Sequence, residues 1–290
     1  MPAVKWSADN AYPKLISGWL GIFFPASPKM KENITMNVET LVVTTGQSDN
    51  HLPQQMHIQT DALIGNQCGK DSLSEHVYLG HKIRYINTST HGVGINRNEV
   101  LMRATGDICV LADDDMVFLD GYEKTICTWF QKLPQADILL LNLEGGKARH
   151  RNTKVTRITT MNYGKYGAAR IAFRREAVHF SGVMFHTMFG GGCRYSCGED
   201  TLFLRDCLRK GLRIYGIPAS IAQIDDSSSS WFQGYSDKYF QDKGILYYAL
   251  DGKWGRLHAW IHCFRHRHRY HEYGWKNAVK QMVKGMGTVK

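Results

Sequence analysis

The 290-residue sequence is long enough to bury one large α/β core. Hydrophobic residues make up 43% and charged residues 21% of it, which excludes a disordered or a fibrous chain. Its seven cysteines form no C-x-x-C pair, so we expect reduced thiols instead of a zinc site or a disulfide framework. No secretory signal pattern is visible near the N-terminus, and we therefore predict a cytoplasmic protein.

The predicted elements alternate between strands and helices along most of the chain. Residues 1–37 contain four prolines and no clear periodicity, and we interpret them as an N-terminal extension. Apolar, β-branched runs then predict strands over residues 41–45, 62–65, 82–86, 108–112, 137–143, 168–174 and 213–217. Helical patterns lie between them, over residues 52–59, 122–132 and 198–211. The alternation predicts an α/β fold with a Rossmann-like, mostly parallel central sheet flanked by helices.

A further helix is predicted before the fourth of these strands. Asn96 precedes Glu99 by three residues, which resembles a capping box with Asn in place of Ser or Thr. The helix would then continue to Ala104 and stop at Gly106. We therefore expect Asn96 to cap a helix N-terminus.

Two groups of carboxylates follow predicted elements where an α/β sheet usually binds its ligands. Asp113, Asp114 and Asp115 come directly after the apolar strand 108–112, and Glu199 and Asp200 open the helix that follows Gly198. The triplet is suited to a divalent cation that also binds phosphates, although solvated aspartates in a loop are the alternative. The pair is suited to a general base, although acids are common in the first turn of any helix.

The order of these motifs resembles family 2 glycosyltransferases. Residues 92–98 read Gly-Val-Gly-Ile-Asn-Arg-Asn, residues 104–108 read Ala-Thr-Gly-Asp-Ile, and residues 111–115 end in the three aspartates. Gly198-Glu199-Asp200 resembles the acceptor motif of the same family. The resemblance covers about residues 38–220. Each motif is weak alone, and the four together in this order are specific.

The resemblance implies a GT-A fold over residues 38–230 and an inverting sugar transfer. A nucleotide-sugar half would cover residues 38–143 and an acceptor half residues 144–230. Asp113 would lie near the ribose, Asp115 would hold Mn²⁺ or Mg²⁺, and Asp114 would be the least informative of the three. Asp200 would be the catalytic base, and Glu199 would be an acceptor-binding or a supporting residue.

The same resemblance implies further donor contacts. Thr44 and Asn66 would contact the nucleotide, while Arg97 would clamp the diphosphate and Asn98 would assist it. Two positions depart from the family. Asn66-Gln67 stands where an Asp usually binds the nucleobase, and an amide still pairs with uracil, which favours a UDP-sugar. The late loop at residues 225–231 lacks the His that often completes the metal site; Asp225 is a candidate to replace it, and a Ser-rich linker is the alternative interpretation of this stretch.

The last part of the chain, residues 231–290, is predicted to be helical and basic. Residues 252–290 hold nine Lys or Arg and one acid, so most of the chain's formal charge of +10 lies in this region. Its histidines lie among cations that would oppose a metal ion, and no known nucleic-acid module accompanies them. A solvated basic surface is one reading. The other, which we favour, is attachment to an anionic membrane surface, because Trp and Tyr accompany the cations.

The predicted function is the transfer of a sugar from a nucleotide-diphosphate donor to a glycan or lipid-linked acceptor in cell-surface polysaccharide synthesis. One alternative is a sugar-nucleotide or phosphate transferase, which is disfavoured because no lysine-bearing phosphate loop is present. The other is a non-catalytic module that binds glycan or nucleic acid.

Overall fold

A computed structural model describes residues 36–145, 150–224 and 234–289. The predicted extension over residues 1–37 therefore lies almost wholly outside the described residues. The same holds for the loop at 225–231, including Asp225.

The described part of the chain contains ten strands and eight α-helices. The strands are β1 (Val38–Thr45), β2 (Asp61–Gln67), β3 (Ser72–Tyr78), β4 (His81–Thr88), β5 (Ile108–Asp113), β6 (Met116–Phe118), β7 (Ile138–Glu144), β8 (Thr156–Arg157), β9 (Ile171–Arg174) and β10 (Ile214–Ile224). The helices are α1 (Leu52–Gln55), α2 (Val93–Arg103), α3 (Tyr122–Lys132), α4 (Arg175–Ser181), α5 (Glu199–Arg209), α6 (Asp237–Asp251), α7 (Gly255–Arg265) and α8 (Trp275–Met286).

All strands belong to one mixed sheet with the order β3-β4-β2-β1-β5-β9-β7-β10-β6, and β8 pairs with β10. Strands β4, β2, β1 and β5 are parallel neighbours, and β7 and β10 form a second parallel pair. Strand β9 runs antiparallel between these two sets. The predicted α/β class, a central sheet flanked by helices, is confirmed.

The central strands are buried on both faces because their side chains alternate between two apolar layers. Val42, Ile64 and Val110 belong to one layer, which α3 covers with Ile126 and Phe130. The neighbouring residues, Leu41, Leu63 and Leu111, face the opposite layer, which includes Val100 of α2 and Phe203 of α5. This second layer therefore holds α2 and α5 on the same side of the sheet as Leu111 of β5.

The predicted capping role of Asn96 is wrong. Helix α2 begins at Val93, after Gly92 with φ 101°, so Asn96 lies inside its first turns. The Asn96 side chain is buried and donates hydrogen bonds to the carbonyl oxygens of Thr44 (3.2 Å) and Gly65 (2.9 Å). Residue 65 must be glycine for Asn96 to fit here, because a Cβ at this position would lie 2.0 Å from Asn96 Oδ1. Asn96 therefore ties α2 to the ends of β1 and β2.

The predicted helical C-terminal region is present and has an apolar core of its own. Phe240 of α6, Ala259 and Cys263 of α7 and Met282 of α8 are buried in it. Glycine allows α6 and α8 to approach closely, since a Cβ at Gly244 would lie 2.1 Å from the Met282 carbonyl oxygen. Within the described ranges, no helix has both the length and the apolar character needed to cross a membrane.

Candidate active site

A cavity of about 410 Å³ opens at the carboxyl ends of the parallel strands. Thr44 at the end of β1 and Asp113 at the end of β5 line it from neighbouring strands. Asp114 and Asp115 form the turn that joins β5 to β6 and line the same cavity. The sequence therefore brings its carboxylate triplet to the sheet edge where α/β proteins bind ligands.

Within this cavity, the aspartates have different surroundings. Thr44 donates its hydroxyl to Asp114 Oδ2 at 2.5 Å, and Gln47 Nε2 donates to Thr44 Oγ1 at 3.2 Å. Asp113 Oδ1 accepts a hydrogen bond from Arg97 at 2.7 Å. Asp114, expected to be the least informative of the three, is thus held in place by the end of β1.

Arg97 links the two carboxylate groups that the sequence separates by about ninety residues. Its side chain is only 3% exposed, and it donates Nη2 to Asp113 Oδ1 at 2.7 Å and Nη1 to Glu199 Oε1 at 2.6 Å. Burial alone would lower the pKa of Arg97, but the charges of Asp113 and Glu199 more than offset it, so the pKa is raised. The structure therefore corrects the predicted diphosphate clamp: this guanidinium is buried between two carboxylates.

Glu199 and Asp200 open α5 after Gly198, whose φ of 113° suits glycine. Glu199 is buried against Arg97, while Asp200 Oδ1 accepts a hydrogen bond from the Thr201 backbone N–H at 2.6 Å. Burial and the charge of Glu199 raise the pKa of Asp200 to about 7, although Arg97 opposes the shift. Asp200 therefore exchanges a proton near neutral pH, which suits a general base.

A glycine-rich segment at residues 190–192 closes the site between its two carboxylate groups. The Val93 backbone N–H donates to the Gly191 carbonyl oxygen at 2.9 Å, so this segment covers the start of α2. A Cβ at Gly190 would lie 2.7 Å from Glu199 Oε2. Gly191 and Gly192 also line the cavity. The three glycines in a row were the signal for this close approach.

Asn66 is placed away from the cavity lining, because side chains alternate along β2. It is buried, accepts from the Gln47 N–H at 3.0 Å, and donates to the Gln47 carbonyl oxygen and to Asn87. This differs from the predicted contact with a nucleobase: Asn66 holds the turn after β1. The next residue, Gln67, lines the cavity and was not singled out as a separate site residue.

Asn98 also supports the site indirectly, in contrast to its predicted role beside the diphosphate. Its Nδ2 donates to the Phe185 carbonyl oxygen at 2.9 Å, and its Oδ1 accepts from the Phe185 N–H at 2.8 Å. These two bonds fasten α2 to the segment that leads into the glycine turn. The amide therefore positions the cover of the cavity.

The donor set of the cavity fits a divalent cation that completes its coordination with substrate oxygens. Carboxylate oxygens are preferred by Mg²⁺ and Mn²⁺, which usually bind through one or two carboxylates plus phosphates. In the described ranges, no group of three or more His, Cys, Asp or Glu side chains is arranged to hold a metal by itself. Such an ion would therefore depend on the phosphates of a bound substrate.

Comparison with known proteins shows what this fold and site resemble. Residues 70–190 match the sequence model of the family described as glycosyl transferase family 2. The resemblance predicted from the motifs is thus confirmed over these residues. No curated protein matches it significantly by sequence.

Solved structures share the fold at low sequence identity. S. aureus TarS 1–349 in complex with UDP-GlcNAc matches with a TM-score of 0.56 at 12% identity, over 87% of this chain and 82% of that chain. The same TarS fragment in complex with UDP matches with a TM-score of 0.50 at 13% identity, over 76% and 69% of the two chains. A further TarS structure gives 0.52 at 14% identity, and there the match spans 76% of this chain and 42% of that chain. These matches confirm the GT-A fold.

Proposed function

We propose that this chain is an inverting glycosyltransferase that moves a sugar from a nucleotide-diphosphate donor to a hydroxyl of a glycan or lipid-linked acceptor. The observation that carries the proposal is one buried arginine joining two carboxylate groups. Arg97 bonds to Asp113, which lines the cavity, and to Glu199, which precedes Asp200 in the chain. The donor and acceptor groups thus share one support.

The donor would bind in the cavity at the ends of β1 and β5. Asp113 and Thr44 line the cavity and would contact the nucleoside, and Asp115 would hold Mn²⁺ or Mg²⁺. When bound, the ion would supply positive charge that offsets the charge developing on the diphosphate leaving group. We favour a UDP-sugar, and the UDP-GlcNAc complex of TarS supports this choice by its shared fold.

Asp200 would act as the base. The acceptor hydroxyl gives its proton to the Asp200 carboxylate while its oxygen bonds to the anomeric carbon of the sugar. The bond from that carbon to the diphosphate oxygen breaks, and the diphosphate leaves with the electron pair. A pKa of about 7 lets Asp200 take this proton near neutral pH. Attack opposite the leaving group inverts the anomeric configuration.

The remaining predicted site residues would hold the reacting groups in position. Arg97 orients Asp113 and Glu199, Asn66 fixes the turn after β1, and Asn98 holds the segment that covers the cavity. Small displacements of reacting groups cost large factors in rate, so such supports contribute to catalysis without touching the substrate. Asp114 would be positioned for the donor by Thr44.

The proposed setting is the synthesis of a cell-surface polysaccharide, with the enzyme peripheral on the inner face of the cell membrane. One feature supports it: the C-terminal region combines basic and aromatic residues. A lipid-linked acceptor would be presented at such a surface.

A hydrolysis and binding screen tests the proposal. The purified chain is incubated with a panel of nucleotide sugars in the presence of Mg²⁺, Mn²⁺ or a chelator, and the released nucleotide is measured. We expect slow hydrolysis of one donor, with a UDP-sugar preferred, and loss of this activity in the chelator. Neither hydrolysis nor binding of any nucleotide sugar would overturn the proposed function.

A further inference from the structure

Helix α7 has two unlike faces. Gly255, Ala259 and Cys263 are buried against the rest of the C-terminal region. The residues on the outer face are large and apolar, yet they are between 41% and 64% exposed; they are Trp254, Leu257, Trp260, Ile261 and Phe264. We call these five side chains the outer α7 face. A helix in a globular protein normally directs such residues inward, so this face is suited to an apolar partner.

Aromatic contacts extend the outer α7 face toward α8. The rings of Trp260 and Phe264 are stacked at 5.4 Å, and Phe264 meets Trp275 edge to face at 6.0 Å. Arg267 lies over the Phe264 ring at 4.9 Å, and Lys276 lies over the Trp275 ring at 5.9 Å. The apolar face therefore ends in cations that are held next to the aromatic rings.

The charge around this face is predominantly positive. Residues 252–271 contain five Lys or Arg and no Asp or Glu, and the exposed acids Asp251 and Glu272 flank them. Lys253 and Arg256 are exposed near the first turn of α7, and Arg265, Arg267 and Arg269 are exposed at and after its last turn. Asp251, which precedes this stretch, accepts a hydrogen bond from His258 Nδ1 at 2.6 Å. An apolar stripe with a cationic rim is typical of helices that lie in the interface of an anionic bilayer.

We propose that the outer α7 face docks this protein on an anionic lipid surface, with Trp260 and Phe264 inserted among the acyl chains and the flanking cations on the headgroups. Charge complementarity favours lipid over a second copy of the chain. In a symmetric dimer, the outer α7 face of one copy would pack against the outer α7 face of the other. The cationic rims of the two copies would then lie next to each other and repel. Anionic headgroups instead neutralise this rim.

The proposal rests on the proposed function for its purpose, because docking would bring the enzyme to a lipid-linked acceptor. Trp254, Leu257 and Ile261 of the outer α7 face also line a cavity of about 800 Å³. This cavity shares Leu250, Asp251 and His258 with a second cavity, of about 440 Å³, which is also lined by Thr201. Thr201 follows Asp200 and bonds to its carboxylate. The docked face therefore adjoins a chain of cavities that leads toward the proposed base.

Co-sedimentation with vesicles tests the docking. The full chain and the double variant Trp260→Ser/Phe264→Ser are mixed with vesicles of phosphatidylcholine, with or without phosphatidylglycerol. We expect the unaltered chain to bind the anionic vesicles, to bind less at high salt, and to show a blue shift of its tryptophan emission. The partition coefficient of the double variant onto anionic vesicles should be at least about tenfold lower, because two inserted aromatic rings are lost. Phe180→Ser, which changes a side chain that is 90% exposed on α4, is the matched control and should bind as the unaltered chain.

Three outcomes would overturn the docking proposal. One is no binding of the unaltered chain to anionic vesicles. Another is equal binding by the double variant, which would assign the attraction to the cations alone. The third is a dimer that dissociates in the double variant, without any lipid binding. Nucleotide-sugar hydrolysis without vesicles is measured for every variant: if hydrolysis persists while docking fails, only the docking proposal falls, and the converse result would overturn only the proposed function.

Discussion

The two carboxylate groups of the site are held in contrasting ways. Asp114 and Asp115 lie in a turn at the rim of an open cavity, between strands β5 and β6. Asp200 is half-buried at the start of α5, next to the buried charge of Glu199. Carboxylates at an open rim remain good ligands for a cation, whereas a half-buried one beside a buried like charge has a raised pKa. The same residue type is thus prepared for two roles by its surroundings.

Arg97 is what makes this contrast possible. A buried carboxylate without a partner costs free energy. The Arg97 guanidinium forms ion pairs with both the buried Glu199 and the partly exposed Asp113. Asp200 receives no hydrogen bond from Arg97 and is left with the raised pKa.

Asp200→Asn should have the largest effect, because it removes the proposed base and nearly preserves the shape of the side chain. Loss of a general base typically costs about 10²- to 10⁴-fold in rate. We expect sugar transfer to fall within this range, measured by product formation at saturating donor. Asp206→Asn, on the same helix, is the control and should transfer at close to the unaltered rate. Full transfer by Asp200→Asn would show that Asp200 is not the base.

Arg97→Met should destabilise the fold strongly. It leaves Asp113 and Glu199 without their shared partner, and breaking a buried ion pair typically costs about 3–5 kcal/mol. The free energy of unfolding in urea measures the loss. Arg103→Met is the control on the same helix α2: its ion pair with Glu99 is partly exposed, and its loss should cost less than about 1 kcal/mol. Equal losses in the two variants would contradict the linking role of Arg97.

The pH dependence of transfer should follow the ionisation of Asp200. A base acts only when it is unprotonated, and the pKa of Asp200 is raised to about 7. Transfer should therefore be constant well above this pH and fall about tenfold for each pH unit below it. Donor affinity is measured at each pH so that weaker binding is not counted as slower transfer. A rate that stays constant down to pH 5 would contradict the assignment.

Asn98→Ala should destabilise the fold less than Arg97→Met does. It removes both hydrogen bonds to Phe185 and leaves polar backbone groups unpaired, at a cost of about 1–3 kcal/mol. Asn98→Asp keeps an acceptor for the Phe185 N–H but sets a carboxylate oxygen against the Phe185 carbonyl oxygen, so it should lose at least as much stability. Thermal unfolding and the KM for the donor are measured together. If the two variants match the unaltered protein in both quantities, Asn98 does not position the cover of the cavity.

Much of the donor half could be predicted from local patterns. The apolar run before Asp113 is long enough to identify a strand buried on both faces, and the position of the aspartates after it follows from the chain order. Helix α3 was predicted with its observed bounds, Tyr122–Lys132, because its apolar spacing and the following Pro134 are both local signals.

The connections between distant residues could not be predicted. The partner of Arg97 at Glu199 lies 102 positions away, so no local pattern indicates the pairing. Asn96 resembled a helix cap because a capping pattern depends only on residues close in sequence. The observed N-cap, Gly92, is set by its contact with the glycine-rich segment at residues 190–192. Strand β9 enters between β5 and β7 in the antiparallel direction, a choice of strand order that alternating apolar runs do not encode.

We propose that Asp115 contributes to donor binding through a metal ion and that Asp200 takes the proton of the acceptor. Calorimetric titration with the preferred nucleotide sugar separates these two roles. The unaltered chain, Asp115→Asn and Asp200→Asn are titrated in Mn²⁺ and in chelator. We expect Asp115→Asn to lose the metal-dependent part of its donor affinity. Asp200→Asn should bind the donor as tightly as the unaltered chain and should lose sugar transfer. Unaltered donor affinity in Asp115→Asn, or its loss in Asp200→Asn, would contradict this division of roles.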